Sequence, residues 1–366
     1  VLGANKALRG GKRLSKALVL MSGGLDSILA AKVLMEQGVE VEAVTFVTPF
    51  FDSKNGEKAA AVLGIPIHII DITAEHMVML KDPKHGYGRF MNPCIDCHAM
   101  MMHRAGDLMR EVGADFLATG EVLGERPKSQ NRKALDIVEE ESGMAGYVLR
   151  PLSAKLLEPT IPEKEGLVDR EKLLSIRGRS RKPQMALAER YGITDYPSPA
   201  GGCILTDTMY SLRLRKLYEL AGVPSAKEAR LLKIGRFFLS SESMVIIVSR
   251  KEEENEILLE LAQDGDYIFE VQNYPGPLVT VLSGSPGEPT IFEAAALAAR
   301  YSKAKTESVA EVAMWRYKTL ENRETGVEDE ILSARQAERL IRVENPGEAV
   351  EVIPGDEKEL PRINPR

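Results

Sequence analysis

Leu18-Val19-Leu20-Met21-Ser22-Gly23-Gly24-Leu25-Asp26-Ser27 is an apolar strand that passes through two glycines straight into a helix. A chain that turns this sharply must put the helix back on the strand's own sheet, which restricts it to layered α/β architectures. The glycines allow close backbone approach, and the new helix offers unpaired N–H groups to an anion. Asp26 alone would repel phosphate, so it makes sense chiefly as a ligand for a magnesium ion that bridges phosphates. A tight strand–helix turn with Asp26 as helix cap would give the same letters. A Walker loop is excluded, because no Gly-Lys-Ser/Thr follows.

The same alternation continues. Short apolar runs at 17–21, 39–47, 66–70 and 115–119 are predicted strands, and 27–37, 54–63 and 99–112 are predicted helices. Gly38, Gly64 and Gly113 stand just past those helices, where a C-terminal glycine belongs. Strands and helices at this spacing imply a parallel sheet with helices on both faces, and ligands beyond the carboxyl ends of the strands. A helix is predicted at 183–191, and another at 210–221 that closes this first unit. Beyond Pro224 the composition shifts to strands at 244–248 and 278–282, an acidic helix at 252–263 and an Ala-rich helix at 291–301. This is a smaller α+β unit. The expected division is a basic segment over 1–16, a catalytic unit over 17–225, a second unit over 230–320 and a charged, proline-containing tail over 321–366.

Only three cysteines occur in 366 residues. That is too few for a disulfide framework, and a reducing, cytoplasmic setting is expected. Lys6, Arg9, Lys12, Arg13 and Lys16 are not followed by an uninterrupted apolar core before Ser22, so no secretory signal is expected. No apolar run approaches the ~20 residues that span a bilayer. The net charge of -6 argues against a uniformly basic nucleic-acid binder but not against a local patch.

Cys94 and Cys97 lie in Asn92-Pro93-Cys94-Ile95-Asp96-Cys97-His98, and Cys203 in Pro199-Ala200-Gly201-Gly202-Cys203; all three are read as loop residues. Four chemistries compete for them. A c-type haem attachment fits Cys94-x-x-Cys97-His98 but belongs outside the cytosol. Zinc on the three sulfurs and His98 would make a closed site. A redox or persulfide pair would cycle one of the first two against Cys203. A [4Fe-4S] cluster on three thiolates leaves one iron open to a small anion such as hydrosulfide, and is the preferred reading. A separate run, Arg177-Gly178-Arg179-Ser180-Arg181-Lys182, is either a solvated face or a contact for an RNA backbone, with Arg213, Arg215 and Lys216 as weaker candidates.

Ser22-Gly23-Gly24-Leu25-Asp26-Ser27 resembles the pyrophosphate loop of the adenine nucleotide α-hydrolase group, the PP-loop ATP pyrophosphatases. That likeness implies ATP with Mg²⁺, phosphates held by Ser22, Gly23, Gly24, Asp26 and Ser27, and adenine near Phe46. Asn92-Pro93-Cys94-x-x-Cys97-His98, with Gly113-Ala114-Asp115 and Ala118-Thr119-Gly120, resembles the tRNA 2-thiouridine synthases. Gly120-Glu121-Val122-Leu123-Gly124 with Ser129-Gln130 is more similar to the tRNA 4-thiouridine synthases, and Glu121 stands where the former usually have His. Three-cysteine, cluster-dependent tRNA thiolases share the layout. The segment from Ser243 to about Trp315, with Ile247-Val248-Ser249-Arg250, Asn255, Gly265-Asp266, Pro275-Gly276-Pro277 and Arg300-Tyr301-Ser302-Lys303-Ala304-Lys305, resembles the NFACT RNA-binding domain, with Ile268 and Glu270 replacing that family's usual Trp and His.

These resemblances imply an ATP-dependent tRNA thiouridine synthetase, a sulfurtransferase that releases AMP and pyrophosphate. Asp26, Cys94, Cys97 and Cys203 would be catalytic, with the three cysteines on the cluster. Ser22, Gly23, Gly24, Ser27, Phe46, Thr119 and Gly120 would bind the nucleotide. Arg177, Arg179, Arg181, Lys182, Arg300, Lys303 and Lys305 would meet tRNA. Zinc is the runner-up metal, and the sulfur donor is free sulfide or a persulfide carrier. No membrane is involved, and a homodimer is left open. The alternatives are a persulfide route without a cluster, an adenylating ligase on a non-RNA substrate, and a non-catalytic, ATP-regulated RNA-binding factor.

Overall fold

The structure, a computed structural model, describes residues 8–9, 12–13, 15–197, 202–282, 284–318, 337–347 and 353–354. Lys6, Pro199-Ala200-Gly201 of the third cysteine's loop and most of the tail lie outside the described residues. The chain divides into two compact units, 1–206 and 207–366.

In the first unit a two-residue antiparallel ladder, β1 (Leu8–Arg9) with β2 (Lys12–Arg13), precedes the main sheet. The sheet's strands are β3 (Lys16–Leu20), β4 (Glu40–Val47), β5 (Ile67–Asp71), β6 (Phe116–Thr119) and β7 (Val148–Leu149), all parallel, in the order β5-β4-β3-β6-β7. The connecting helices are α1 (Leu25–Met35), α2 (Lys54–Leu63), α3 (Thr73–Lys81), α4 (Cys94–Glu111) and α5 (Arg132–Ser142). The short α6 (Ile161–Lys164) and α7 (Lys182–Arg190) follow.

Side-chain alternation along the strands sorts the interior into two cores. Ala17, Val19, Phe116 and Ala118 pack with α1, α2 and Ala188 of α7. Leu18, Val44, Phe46 and Leu117 pack with Met102, Ala105 and Met109 of α4 and Val138 of α5. Helices therefore cover both faces, as the alternation requires. Strand order reverses between β3 and β6, so the loops after these two strands meet at the switch point where such sheets bind ligands.

The second unit opens with α8 (Thr208–Ala221) and α9 (Ala226–Leu231). It is built on a seven-stranded sheet, wholly antiparallel, in the order β13-β12-β10-β11-β9-β8-β14. These are β8 (Arg236–Leu239), β9 (Val245–Val248), β10 (Tyr267–Val271), β11 (Val279–Leu282), β12 (Val309–Arg316), β13 (Arg339–Glu344) and β14 (Ile353–Pro354). The acidic α10 (Glu252–Leu261) joins β9 to β10, and α11 (Glu288–Arg300) packs its alanine face on the sheet.

Two differences from the sequence pattern have clear causes. The helix at 208–221 falls in the second unit because its buried face is used there: Tyr210 Oη donates to the Ala229 carbonyl (2.8 Å), and Arg213 reaches the carbonyls of Leu232 (3.2 Å) and Gly235 (3.3 Å). The charged tail contributes two strands to the second unit, β13 paired with β12 and β14 with β8. Ile341 and Val343 point inward between exposed Arg339, Arg342 and Glu344, a charged edge strand.

Candidate active site

At the end of β3, Gly23 takes a left-handed φ of +75°, and a Cβ there would stand 2.2 Å from the backbone of Asn55. Gly24 is the N-cap of α1 and supplies no side-chain cap, so the first N–H groups of that helix are left for another partner. Ser22 Oγ accepts from the Gly24 N–H (3.3 Å), and Ser27 Oγ donates to the Gly24 carbonyl (2.8 Å), which holds the loop in a tight cradle. From the other strand of the switch point, Gly120 abuts the cradle: a Cβ on it would lie 2.4 Å from Ser27 N and 2.5 Å from Asp26 C. Gly120 thus has a packing reason to be glycine. Phe46 is buried at the end of β4 in the core with Leu18 and Ile72, and Thr119 is buried with its hydroxyl on Glu121 (3.1 Å).

Asp26 follows the cradle in the first turn of α1. Its Oδ1 is buried and has no hydrogen-bond partner among the described residues. Burial pushes the carboxyl above its ordinary range, and Arg181, the Gln184 amide and Arg126 pull it back. An orphaned carboxylate oxygen beside free helix N–H groups fits a divalent cation carrying phosphate oxygens.

The cysteine positions require a correction. Cys94 and Cys97 are not loop residues: α4 begins at Cys94, directly after Pro93, and carries both in its first turn on one face. Cys97 is buried, whereas Cys94 and Cys203 are half-buried. Cys203 precedes a single 3₁₀ turn (Ile204–Thr206), and its carbonyl accepts from the Thr206 N–H (2.8 Å) and hydroxyl (2.7 Å). Burial pushes the Cys97 thiol far up, and the neighbouring charges of Cys203, Cys94 and Asp96 act in the same direction. Cys94 and Cys203 are thus both within electrostatic reach of Cys97. Burial also raises the Cys94 thiol, against the pull of Arg126 and Lys128, and its Sγ donates to Asn92 Oδ1 (3.0 Å).

Among the described residues no three His, Cys, Asp or Glu side chains stand where one metal ion could join them. Thiols once deprotonated are donors for zinc and for iron–sulfur centres alike. His98, the fourth zinc ligand in the runner-up reading, directs Nδ1 to Glu121 Oε1 (3.2 Å).

That Glu121 belongs to a buried network. Its Oε2 accepts from Arg150 Nε (3.0 Å), and Arg150 also pairs with Glu139. Burial alone would raise the Glu121 carboxyl, but Arg150 and His98 hold it down to about 2. The network fixes the strand end of β6 beside the cysteine helix.

The loop after β6 carries groups that the sequence did not single out. Gln130 closes it, accepting from the Arg126 N–H (3.2 Å) and donating its own N–H to the Arg126 carbonyl (2.8 Å). Glu125 and Arg126 are thereby held between the phosphate cradle and the cysteines, and the Arg126 charge acts on both Asp26 and Cys94. The only sequence signal was the Ser129-Gln130 pair. Of the basic run, Arg177, Arg179 and Lys182 are exposed, whereas Arg181 is half-buried near Asp26. Arg213 is a buried structural residue of the second unit, not an exposed cation.

In that second unit, Tyr301, Lys303 and Lys305 are exposed while Ser302 and Ala304 between them are buried, and Arg300 is half-buried. The Arg236 guanidinium lies 4.3 Å from the Tyr301 ring centroid. A cationic and aromatic face of this kind suits a nucleic acid.

Comparison with known proteins gives two family matches. Residues 13–156 match the family described as thiamine biosynthesis protein (ThiI), and residues 235–337 match the NFACT protein RNA binding domain. A tRNA-specific 2-thiouridylase of Syntrophus aciditrophicus is 30% identical over 216 residues, covering 53% of this chain and 54% of that protein. A second, from Syntrophotalea carbinolica, is 37% identical over 119 residues, covering 28% of this chain and 33% of that protein. The chain thus spans about a third to a half of the length of these relatives. A crystal structure of a 4-thiouridine synthetase–RNA complex with bound ATP aligns at 23% identity with a TM-score of 0.31, covering 50% of this chain and 54% of that one.

Proposed function

From the match of residues 13–156 to the ThiI family and of residues 235–337 to the NFACT RNA binding domain, we propose that the chain is an ATP-dependent tRNA thiouridine synthetase. The observation that carries this reading is the adjacency of its two chemistries. Gly120 packs against Asp26 and Ser27 of the phosphate cradle, and the next residue, Glu121, is bonded to His98 beside Cys97 (3.2 Å), so both groups flank the end of β6.

The cradle of Ser22, Gly23, Gly24 and Ser27 would hold the ATP phosphates on backbone N–H groups, with Asp26 on Mg²⁺. A uridine carbonyl oxygen attacks the α-phosphorus, and pyrophosphate leaves. A sulfur nucleophile then adds at the same carbon, and AMP departs with the original oxygen. A [4Fe-4S] cluster on Cys94, Cys97 and Cys203 would supply an open iron that holds hydrosulfide. The protein's own part is to present Cys94, Cys97 and Cys203, and because burial disfavours the thiolates of Cys94 and Cys97, whatever these sulfurs bind must stabilise the deprotonated form. Phe46, Thr119 and Gly120 complete the nucleotide side by family resemblance. Arg177, Arg179 and Lys182, with Arg300, Lys303 and Lys305, would hold tRNA by its backbone, and the uridine would be flipped toward the cradle.

Anaerobic purification tests the metal part. The expected result is visible absorbance with iron and acid-labile sulfide near four per chain for a [4Fe-4S] cluster. Stoichiometric zinc without sulfide, or metal-free protein that still thiolates tRNA, would replace the cluster with zinc or persulfide chemistry.

A further inference from the structure

In the sequence, Arg177 to Lys182 reads as one basic patch for RNA, but the fold splits it. The Gly178 N–H donates to the Leu123 carbonyl (2.8 Å), and Leu123 bridges Arg177, so the segment is stapled to the loop that follows β6. The staple turns Arg181 inward: its Nε is buried with no hydrogen-bond partner among the described residues. Gln184, in the first turn of α7, is 0% exposed. Its Nε2 donates to Glu125 (3.3 Å), while its Oε1 is buried and unpartnered. Asp26 Oδ1 is the third such atom.

One donor atom of Arg181 and acceptor atoms of Gln184 and Asp26 thus lie beside the cradle with bonding capacity left over, although the Gln184 amide already reaches Asp26. Buried polar atoms are ordinarily paired, and a local group of three orphans marks a place that a polar ligand completes. Lys182 and Arg179, exposed on the same segment, have no such deficit.

We propose that Arg181 and Gln184 are nucleotide-phosphate ligands: Arg181 takes the pyrophosphate that leaves ATP, and Gln184 Oε1 shares the hydrated cation of Asp26. The inference rests on the ATP reading and deepens it. As the carbonyl oxygen bonds to the α-phosphorus, the α–β anhydride bond breaks and its electron pair goes to the pyrophosphate oxygen. A fixed guanidinium neutralises that added charge, and its fork suits phosphate oxygens better than an ammonium does.

The test compares the full-length wild type with Arg181→Ala, Arg181→Lys and Gln184→Leu for binding of Mg-ATP, inorganic pyrophosphate and unmodified tRNA, with thermal melting as a check on folding. Arg181→Ala should weaken Mg-ATP and pyrophosphate about tenfold to hundredfold and leave tRNA affinity within about twofold. Arg181→Lys should recover part of the loss, and Gln184→Leu, which keeps the bulk of the side chain, should lose Mg-ATP affinity more than pyrophosphate affinity. Unchanged pyrophosphate binding in Arg181→Ala with weaker tRNA binding would return Arg181 to the RNA surface. Equal losses for all ligands would make its role structural, and either outcome overturns the proposal alone. A wild type that binds neither Mg-ATP nor pyrophosphate would remove the ATP reading and this inference with it.

Discussion

Two carboxylates, one half-buried and one buried, illustrate what single residues do here. Asp26 has an oxygen with no partner among the described residues, while Glu121 is paired on both oxygens and held down to about 2. Asp26→Asn keeps the size and removes the charge for Mg²⁺, so Mg-ATP affinity should fall at least tenfold while the melting temperature holds or rises. An unchanged affinity would take Asp26 out of the nucleotide site. Glu121→Gln should act in the opposite way. It leaves Arg150 buried with one carboxylate fewer, a change that costs about 3–5 kcal/mol when a buried pair is broken. The pH dependence follows from its depressed folded-state value. The stabilisation is complete above the unfolded value near 4.5 and is lost as pH falls from there through about 2. Wild type should therefore lose stability steeply in that window in urea titrations, and Glu121→Gln should show a shallower slope. Equal slopes would mean that the network does not hold the charge described.

Elements meet at Gly120, where the end of β6 touches the start of α1. Gly120→Ala must separate the two, because its Cβ would stand 2.4 Å from Ser27 N. Overpacking of this kind costs about 1–3 kcal/mol. Calorimetry should show that loss together with weaker Mg-ATP binding, and an alanine variant with normal ATP affinity would show that the cradle does not depend on this junction. Local signals made several elements legible in the sequence. Helix α2 was read to the residue because Gly64 closes it in the left-handed region, and the strand runs around β3 and β4 stand out as apolar segments. Helix α4 starts five residues ahead of the predicted 99–112, since Pro93 and the CxxC spacing look like a loop. The sequence pattern predicts no strand at β8, β10 or β12: Glu270 interrupts β10, and alanines stand at inward positions of β12. The cysteine group and the Arg181 orphan were only partly legible. Both depend on pairing between residues far apart in the chain, and nothing in a run of four cations says which one turns inward.

On the scale of the whole molecule, an acidic chain is expected to hold an acidic polymer through local faces on two separately folded units. Replacing both Lys303 and Lys305 by Glu should weaken tRNA binding and flatten its salt dependence by about one to two units of log–log slope, while ATP binding stays at its wild-type value. Filter binding across a salt series would show this, and an unchanged slope would leave the second unit without a part in RNA binding. The central claim is that the phosphate cradle and the three cysteines perform one reaction on tRNA. It is tested most directly by anaerobic turnover with unmodified tRNA, ATP and sulfide, followed by mass spectrometry of the digested tRNA alongside AMP release. The account predicts one thiolated uridine for each AMP, and no thiolation with Asp26→Ala or Cys203→Ala. AMP release without tRNA, or full thiolation by Cys203→Ala, would contradict it.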